Sequence, residues 1–228
     1  MSENLQTSKE TKIQLAGWSG FYNKNKKNVQ IAGGALIVII GGWLAFQFLY
    51  MGPRNKEANE ALWRIEQWAE MDSMNWVLQG NGEFIGAEEL MNKYSGTVAA
   101  EKAKFYAACA KRDAGDFQGA LDLFKGVDFD DNTVGVQAIG NAGDMYVELG
   151  QLDDAADWLQ KASKKAMSSD SKDALAPVYL MKAARVQCER QDFESAKTLL
   201  QDLVDNFKRS QEIGEAQKML GWIEAQGK

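Results

Sequence analysis

Histidine is absent from all 228 residues. With it go the commonest general base near neutral pH, the usual partner of a catalytic nucleophile and the favoured zinc ligand. Cysteine is almost as scarce. Cys109 and Cys188 stand far apart with no CxxC spacing, so neither a redox motif nor a thiolate metal site is indicated. There are two prolines and few β-branched runs, against an abundance of Ala, Leu, Glu, Gln and Lys, a balance that predicts an all-α chain. An excess of positive charge is missing as well. The 26 Lys and Arg face 32 Asp and Glu, a net charge of -6, which argues against a general electrostatic hold on nucleic acid.

Charge is missing altogether from Val29 to Gly52, "VQIAGGALIVIIGGWLAFQFLYMG". As a helix this run would extend about 36 Å at about 1.5 Å per residue, enough to cross a bilayer core of about 30 Å. Trp43 and Tyr50, followed by Pro53 and Arg54, suit one interface, and the collar "NKNKKN" from Asn23 to Asn28 suits the other. The run is too long for a signal peptide, follows a 28-residue tail and leads to no small-x-small cleavage site. An uncleaved anchor is therefore expected. Five lysines against Glu3 and Glu10 leave the tail, residues 1–28, at +3, which favours a cytoplasmic N-terminus. Because the span is uncharged, everything beyond Pro53 carries -9. An acidic portion of that kind is pushed away from anionic lipid rather than laid upon it.

Beyond the span, self-similarity organises the chain. "GDFQGALDLFKGV" (115–127), "GQLDDAADWLQKA" (150–162) and "QDFESAKTLLQDL" (191–203) align at offsets of 35 and 41 residues. Each has a turn, an apolar residue and then alanine three positions on: Phe117 and Ala120, Leu152 and Ala155, Phe193 and Ala196. Seven residues before Gly115, Gly150 and Gln191 stand Ala108, Gly143 and Ala184. Small residues at this spacing predict close crossings between paired helices, with Phe124, Leu159 and Leu200 filling the space beside them. Ile213, Ala216, Leu220 and Ile223 mark one face of a final capping helix. Between span and repeats, residues 53–99, a helix over "KEANEALWRIEQWAEMDSMNWVLQ" is expected to break at "GNGEFIG". A short helix around "AEELMNKY" follows, and Thr97 is placed to cap the next one. Trp63, Trp68 and Trp76 are expected in the core of this atypical first hairpin.

No catalytic constellation emerges. "GNGEFIG" lacks the dinucleotide spacing and a strand-helix frame, so it is read as a turn. "DFDDN", 128–132, has Thr133 where a calcium loop needs glycine and Ile139 where it needs the bidentate glutamate, so it is read as a solvated connection. Carboxylate pairs such as Asp153 and Asp154 read as exposed helix surface. The expectation is a protein without catalytic residues, metal or cofactor.

The small and large positions Ala142, Gly143, Tyr146, Gly150, Ala155, Leu159 and Ala162 resemble the signature of the tetratricopeptide repeat, a helix-turn-helix unit of about 34 residues. Units are expected at 101–134, 136–169 and 177–210 within 100–228. Lys111 and Gln187 replace the aromatic in the outer two units, Gln191 replaces a turn glycine, and Ser163 to Ala176 separates the last two. The resemblance implies an α-solenoid whose concave groove is lined from first helices by Lys102, Tyr106, Cys109, Asn141, Asp144, Met181, Lys182 and Arg185. Co-chaperones of that family grip a C-terminal carboxylate there. Only Asn141 and Lys182 match that clamp; Phe105, Cys109 and Val178 fill the other places.

The whole layout of basic tail, single span and acidic repeats resembles the single-span periplasmic accessory proteins of the Gram-negative SecYEG translocon, which act with a membrane-anchored prolyl isomerase chaperone. "GDMYVELGQLDDAADWLQKA" is the most telling stretch. The resemblance implies an inner-membrane protein with a periplasmic repeat domain, non-catalytic, whose partners are the translocon, the periplasmic isomerase chaperone and exported polypeptides. A scaffold for outer-membrane assembly or division machinery is the alternative.

Overall fold

The computed structural model describes residues 3–129 and 133–227, with side chains from Lys24 onward. Asp130, Asp131 and Asn132, most of the "DFDDN" connection, lie outside the described residues. Among those described the secondary structure is helical, apart from one isolated bridge between Gly80 and Ile85. The chain divides into two compact units, Met1–Pro53 and Arg54–Lys228.

The first unit is built on α1 (Glu3–Ala45), kinked at Asn25 inside the basic collar, followed by a π-helical turn (Phe46–Met51). Gly52 N–H donates to the Gln47 carbonyl, five residues back, while Phe46 and Tyr50 stack at 5.3 Å. The wider turn comes just before Pro53, whose ring would crowd the carbonyl four residues earlier in an α-helix. The apolar helix is long enough to cross a membrane, and none of its most apolar stretch is buried by protein.

The second unit follows α2 (Gly52–Glu70) with α3 (Met74–Gln79), α4 (Ala87–Lys93), α5 (Val98–Asp113) and α6 (Phe117–Lys125). Then come α7 (Val134–Glu148), α8 (Leu152–Met167), α9 (Lys172–Glu189), α10 (Phe193–Asn206) and α11 (Ile213–Ala225). The expected long helix before "GNGEFIG" is broken at Met71 to Ser73, where Asp72 takes a left-handed φ of 56°. Thr97 caps α5 as expected, accepting from Ala100 N–H. The tryptophans divide differently from expectation. Trp68 is buried with Leu62, Ile65, Val77, Leu90 and Tyr94, whereas Trp63 is 52% and Trp76 45% exposed. Trp63 falls on the face of α2 opposite that core, and Trp76 meets Trp68 only by its edge.

Helices α5 to α11 share the larger core, and each packs against the next. Three of the connections are the same structure. After α5, α7 and α9 the chain turns at Gly115, Gly150 and Gln191 with φ of 80°, 72° and 63°. In each, the turn residue's N–H reaches back three residues, and the following N–H, from Asp116, Gln151 or Asp192, reaches five residues back at 2.9 Å. This left-handed closure satisfies the last carbonyls of the helix. Asp116 and Asp192 then cap the next helices by accepting from Gly119 and Ser195 N–H. The departures at the aromatic position are satisfied by polar partners: Lys111 pairs with Asp116 at 3.1 Å, and the buried amide of Gln187 accepts from Arg190 at 2.6 Å. The expected separation from Ser163 to Ala176 is mostly helix, because α8 runs on to Met167 and α9 starts at Lys172.

The small residues lie at helix crossings. A Cβ on Gly143 would fall 2.7 Å from Leu159 Cγ, and one on Gly140 only 1.9 Å from Tyr179 Cε1. Ala108, Ala120, Ala155, Ala184 and Ala196 are fully buried, as are Phe124, Leu159 and Leu200 beside them. Two thermal melts of the full chain in detergent, followed by circular dichroism, check this packing. Gly140→Ala should destabilise by about 1–3 kcal/mol because the tyrosine ring has to move, although alanine is the better helix former. Gln191→Gly should stabilise by about 0.5–1 kcal/mol, since the side chain is exposed and glycine removes the left-handed penalty.

Candidate functional site

The expected groove residues fall into separate groups. Asp144 on α7 and Lys182 and Arg185 on α9 line an open cleft of about 370 Å³. Arg112, Phe117, Met145, Val147, Glu148, Leu159, Val186 and Glu189 complete its lining. The floor is apolar and the rim is charged. Asp144 and Lys182 form an ion pair at 2.6 Å, each about one-third exposed. The Lys182 ammonium also stands 5.7 Å from the centre of the Tyr179 ring. Burial, with Asp144 adding to it, pushes the Tyr179 phenol up to about 12, so it stays a neutral donor at physiological pH. Tyr179 in turn packs against the bare backbone of Gly140. One glycine thus seats the aromatic that supports Lys182.

Arg185 is turned to α11, where it pairs with exposed Glu215 at 2.6 Å. Asn141 is half-buried on α7 and does not line the cleft. Met181 is 2% exposed and belongs to the core. It faces inward because α9 buries Leu180, Met181, Ala183 and Ala184 in near succession, being covered by neighbours on more than one side. Lys102 is exposed on α5. Tyr106 packs with the α2–α5 core, edge-on to Phe105. Burial raises its phenol first, with Glu66 and Glu70 of α2 adding to the effect. The structure therefore gathers Asp144, Lys182 and Arg185 and leaves Lys102 and Tyr106 outside that cleft.

A second, larger groove of about 840 Å³ was not anticipated from the sequence. It runs between α2 and the 80–86 turn, with Trp63, Arg64, Phe84, Ile85 and Tyr94 among its lining. The signal was present in the turn itself. Asn81 Oδ1 accepts from both Glu83 and Phe84 N–H, and a Cβ at Gly80 or Gly86 would lie 2.2–2.3 Å from backbone oxygens. "GNGEFIG" is thus a tightly fixed turn that holds Phe84 at the surface.

Both cysteines are free and partly buried. Burial raises the Cys109 thiol to about 11, against the opposing pull of Arg112, and burial also raises Cys188. A raised thiol is nearly all protonated at neutral pH and makes a poor nucleophile. Iodoacetamide labelling of Cys109, resolved by peptide mass spectrometry, should be slow at pH 7 and still be climbing at pH 11, where only about half of the thiol is ionised. A plateau by pH 9 would contradict this environment. In comparisons with known proteins, the sequence matches no family model and no curated protein.

Proposed function

We propose that the chain is a membrane-anchored, non-catalytic interaction scaffold of the bacterial cell envelope. Its N-terminus is cytoplasmic, one helix spans the inner membrane, and a tetratricopeptide-like α-solenoid with a C-terminal cap lies in the periplasm. There it assists the SecYEG translocon, together with a periplasmic isomerase chaperone, in handling newly exported polypeptides. The observation that carries the scaffold reading is the threefold recurrence of one unit. A helix bearing Ala108, Gly143 or Ala184 ends in a left-handed residue at Gly115, Gly150 or Gln191. A return helix then brings Phe124, Leu159 or Leu200 into the core. Repetition of this sort builds an extended surface rather than an enclosed reaction chamber.

The Sec assignment draws support from the layout: a basic tail, one helix apolar enough to span a bilayer, and an acidic helical portion of this length. Exported chains arrive unfolded, with apolar segments uncovered, and the Asp144–Lys182 cleft offers an apolar floor with a charged rim. The orientation draws support from the basic collar, because lysines close to a span are retained on the cytoplasmic side.

In-cell crosslinking of the full chain, followed by identification of bound proteins, tests this function. The parent should recover SecYEG and an isomerase chaperone. Replacing Val29–Gly52 with an unrelated span should preserve part of that association, while Gly143→Leu should lose it, because the new side chain would enter the Leu159 contact. Lys182→Ala combined with Asp144→Ala should reduce recovery of exported polypeptides alone. Protease added to spheroplasts should digest residues 54–228. Protection of that portion, or recovery of outer-membrane assembly or division proteins in place of SecYEG, would overturn the Sec reading.

A further inference from the structure

The turn from Gly80 to Gly86 holds one reactive bond in a fixed geometry. Asn81 is followed by glycine, and no other asparagine in the sequence is. Among the described residues it is also the only asparagine outside a helix. Asn55, Asn59, Asn75, Asn92, Asn141 and Asn206, by contrast, are helical and each precedes a residue with a side chain. Asn81 and Gly82 are both exposed, so water reaches them.

The hydrogen bonds of the turn bear directly on this pair. Asn81 Oδ1 accepts from Glu83 N–H at 3.1 Å and from Phe84 N–H at 2.9 Å. The first of these bonds closes a ring that contains Cγ, Cβ, Cα and the carbonyl carbon of Asn81 together with the nitrogen of Gly82. Those are the atoms that a succinimide joins. The bond therefore folds Cγ back toward the nitrogen that would attack it. Two N–H groups on one carbonyl oxygen also stabilise the negative charge that grows there on attack. The nitrogen itself is unencumbered. Among the described residues Gly82 N–H makes no hydrogen bond, and a Cβ at Gly82 would meet nothing within 4 Å. The surrounding fold keeps the arrangement in place. Gly80 bridges to Ile85, Asn81 N–H donates to the Phe84 carbonyl at 3.2 Å, and neither Gly80 nor Gly86 has room for a side chain.

We propose that Asn81 is a self-modification site, at which the turn converts its own asparagine to aspartate and isoaspartate. Gly82 N attacks Asn81 Cγ, and the new C–N bond forms as the bond from Cγ to the side-chain nitrogen breaks. The Gly82 N–H proton leaves with that nitrogen as ammonia. Water, the co-reactant, then opens the succinimide, and nothing is oxidised or reduced. Opening at Cγ restores the ordinary main chain with an aspartate. Opening at the main-chain carbonyl leaves the chain running through Cγ, one carbon longer. Either product adds a negative charge beside Glu83. The longer chain cannot keep both the Gly80–Ile85 bridge and the Asn81 cap, so Phe84 is released from Arg64, whose Cζ lies 4.4 Å from its ring centre. The change is one-way, and it marks the age of the molecule in its first hairpin. It depends on no part of the Sec reading.

Incubation of the full chain in nonionic detergent at neutral pH and physiological temperature, with peptide mass spectrometry at intervals, tests the proposal. Conversion at Asn81 should outpace that at any other asparagine at least tenfold. It should also run at least as fast as in a synthetic peptide of residues 80–86 with blocked ends, which has the same bond without the fold. A protease that cuts before aspartate but not before isoaspartate divides the two products. Asn81→Gln should slow the conversion at least tenfold, because its ring would have to be larger. Hydrogen exchange at Phe84 and Ile85 should quicken in aged parent protein and stay at the fresh level in aged Asn81→Gln. Thermal melts of the fresh proteins separate this from loss of fold, and the comparison with the peptide stands without the variant. Conversion slower than in the peptide would mean that the turn protects Asn81. That result, faster conversion at another asparagine, or unchanged exchange at Phe84 in a sample rich in isoaspartate overturns the proposal.

Discussion

The helices from α5 to α11 depend on how closely α7 allows its neighbours to approach. At Gly143 the Leu159 side chain of α8 occupies the place of a missing Cβ, and one turn earlier at Gly140 the Tyr179 ring of α9 does the same. Both contacts lie on one helix, so α7 is the element against which the preceding and following pairs are set. Dispersion contacts fall away within an ångström of extra separation. Leu159 is nearly inaccessible and Tyr179 4% exposed, and moving α7 outward by a methyl group would uncover both. Two glycines weaken an isolated helix. Here that weakness is offset by the large side chains which the bare backbone admits.

The turns place the return helices just as strictly. Gly115, Gly150 and Gln191 occupy the same left-handed region and close with the same pair of backbone bonds. That a glutamine does so at the third turn means that the bonds to the end of α9, together with the Asp192 cap on α10, outweigh a conformational cost of about 1–2 kcal/mol. Local preference alone would not put glutamine there. The surrounding helices require the turn, and the residue accommodates it.

This division explains what the sequence made legible. Helix ends, turns and crossings were readable because each depends on residues near in sequence: Thr97 before α5, glycine at the close of a helix, alanine opposite leucine. Facing was harder. Met181 carries a side chain suited to a groove, yet α9 is covered on more than one side and takes it inward. Trp68 shares a helical stripe with Ala58, Leu62 and Ile65, while Trp63 stands off it, so the spacing separates the two and the expectation that placed both in the core passed over it. Lys102 and Tyr106 share a helix with Cys109, but Tyr106 is drawn to the α2 side of it. The Asp144–Lys182 pair joins residues 38 apart, and its partners were named individually while the contact between them was not.

The charged groups at the Asp144–Lys182 cleft are arranged to neutralise each other before any ligand arrives. Lys182 holds Asp144 and Arg185 holds Glu215, so an incoming charge has to compete with a partner already at hydrogen-bond distance. An apolar segment would face no such competition, because it could cover the partly exposed Phe117 and Val147 without breaking either pair. On the proposed scaffold role, discrimination by charge would be weak at this cleft, and burial of Phe117 and Val147 would supply the attraction. Arg64 presents the opposite arrangement: two aromatic rings support its guanidinium and leave its hydrogen-bond donors unused among the described residues. One set of charges is satisfied by side chains of the fold, and the other is only positioned by it.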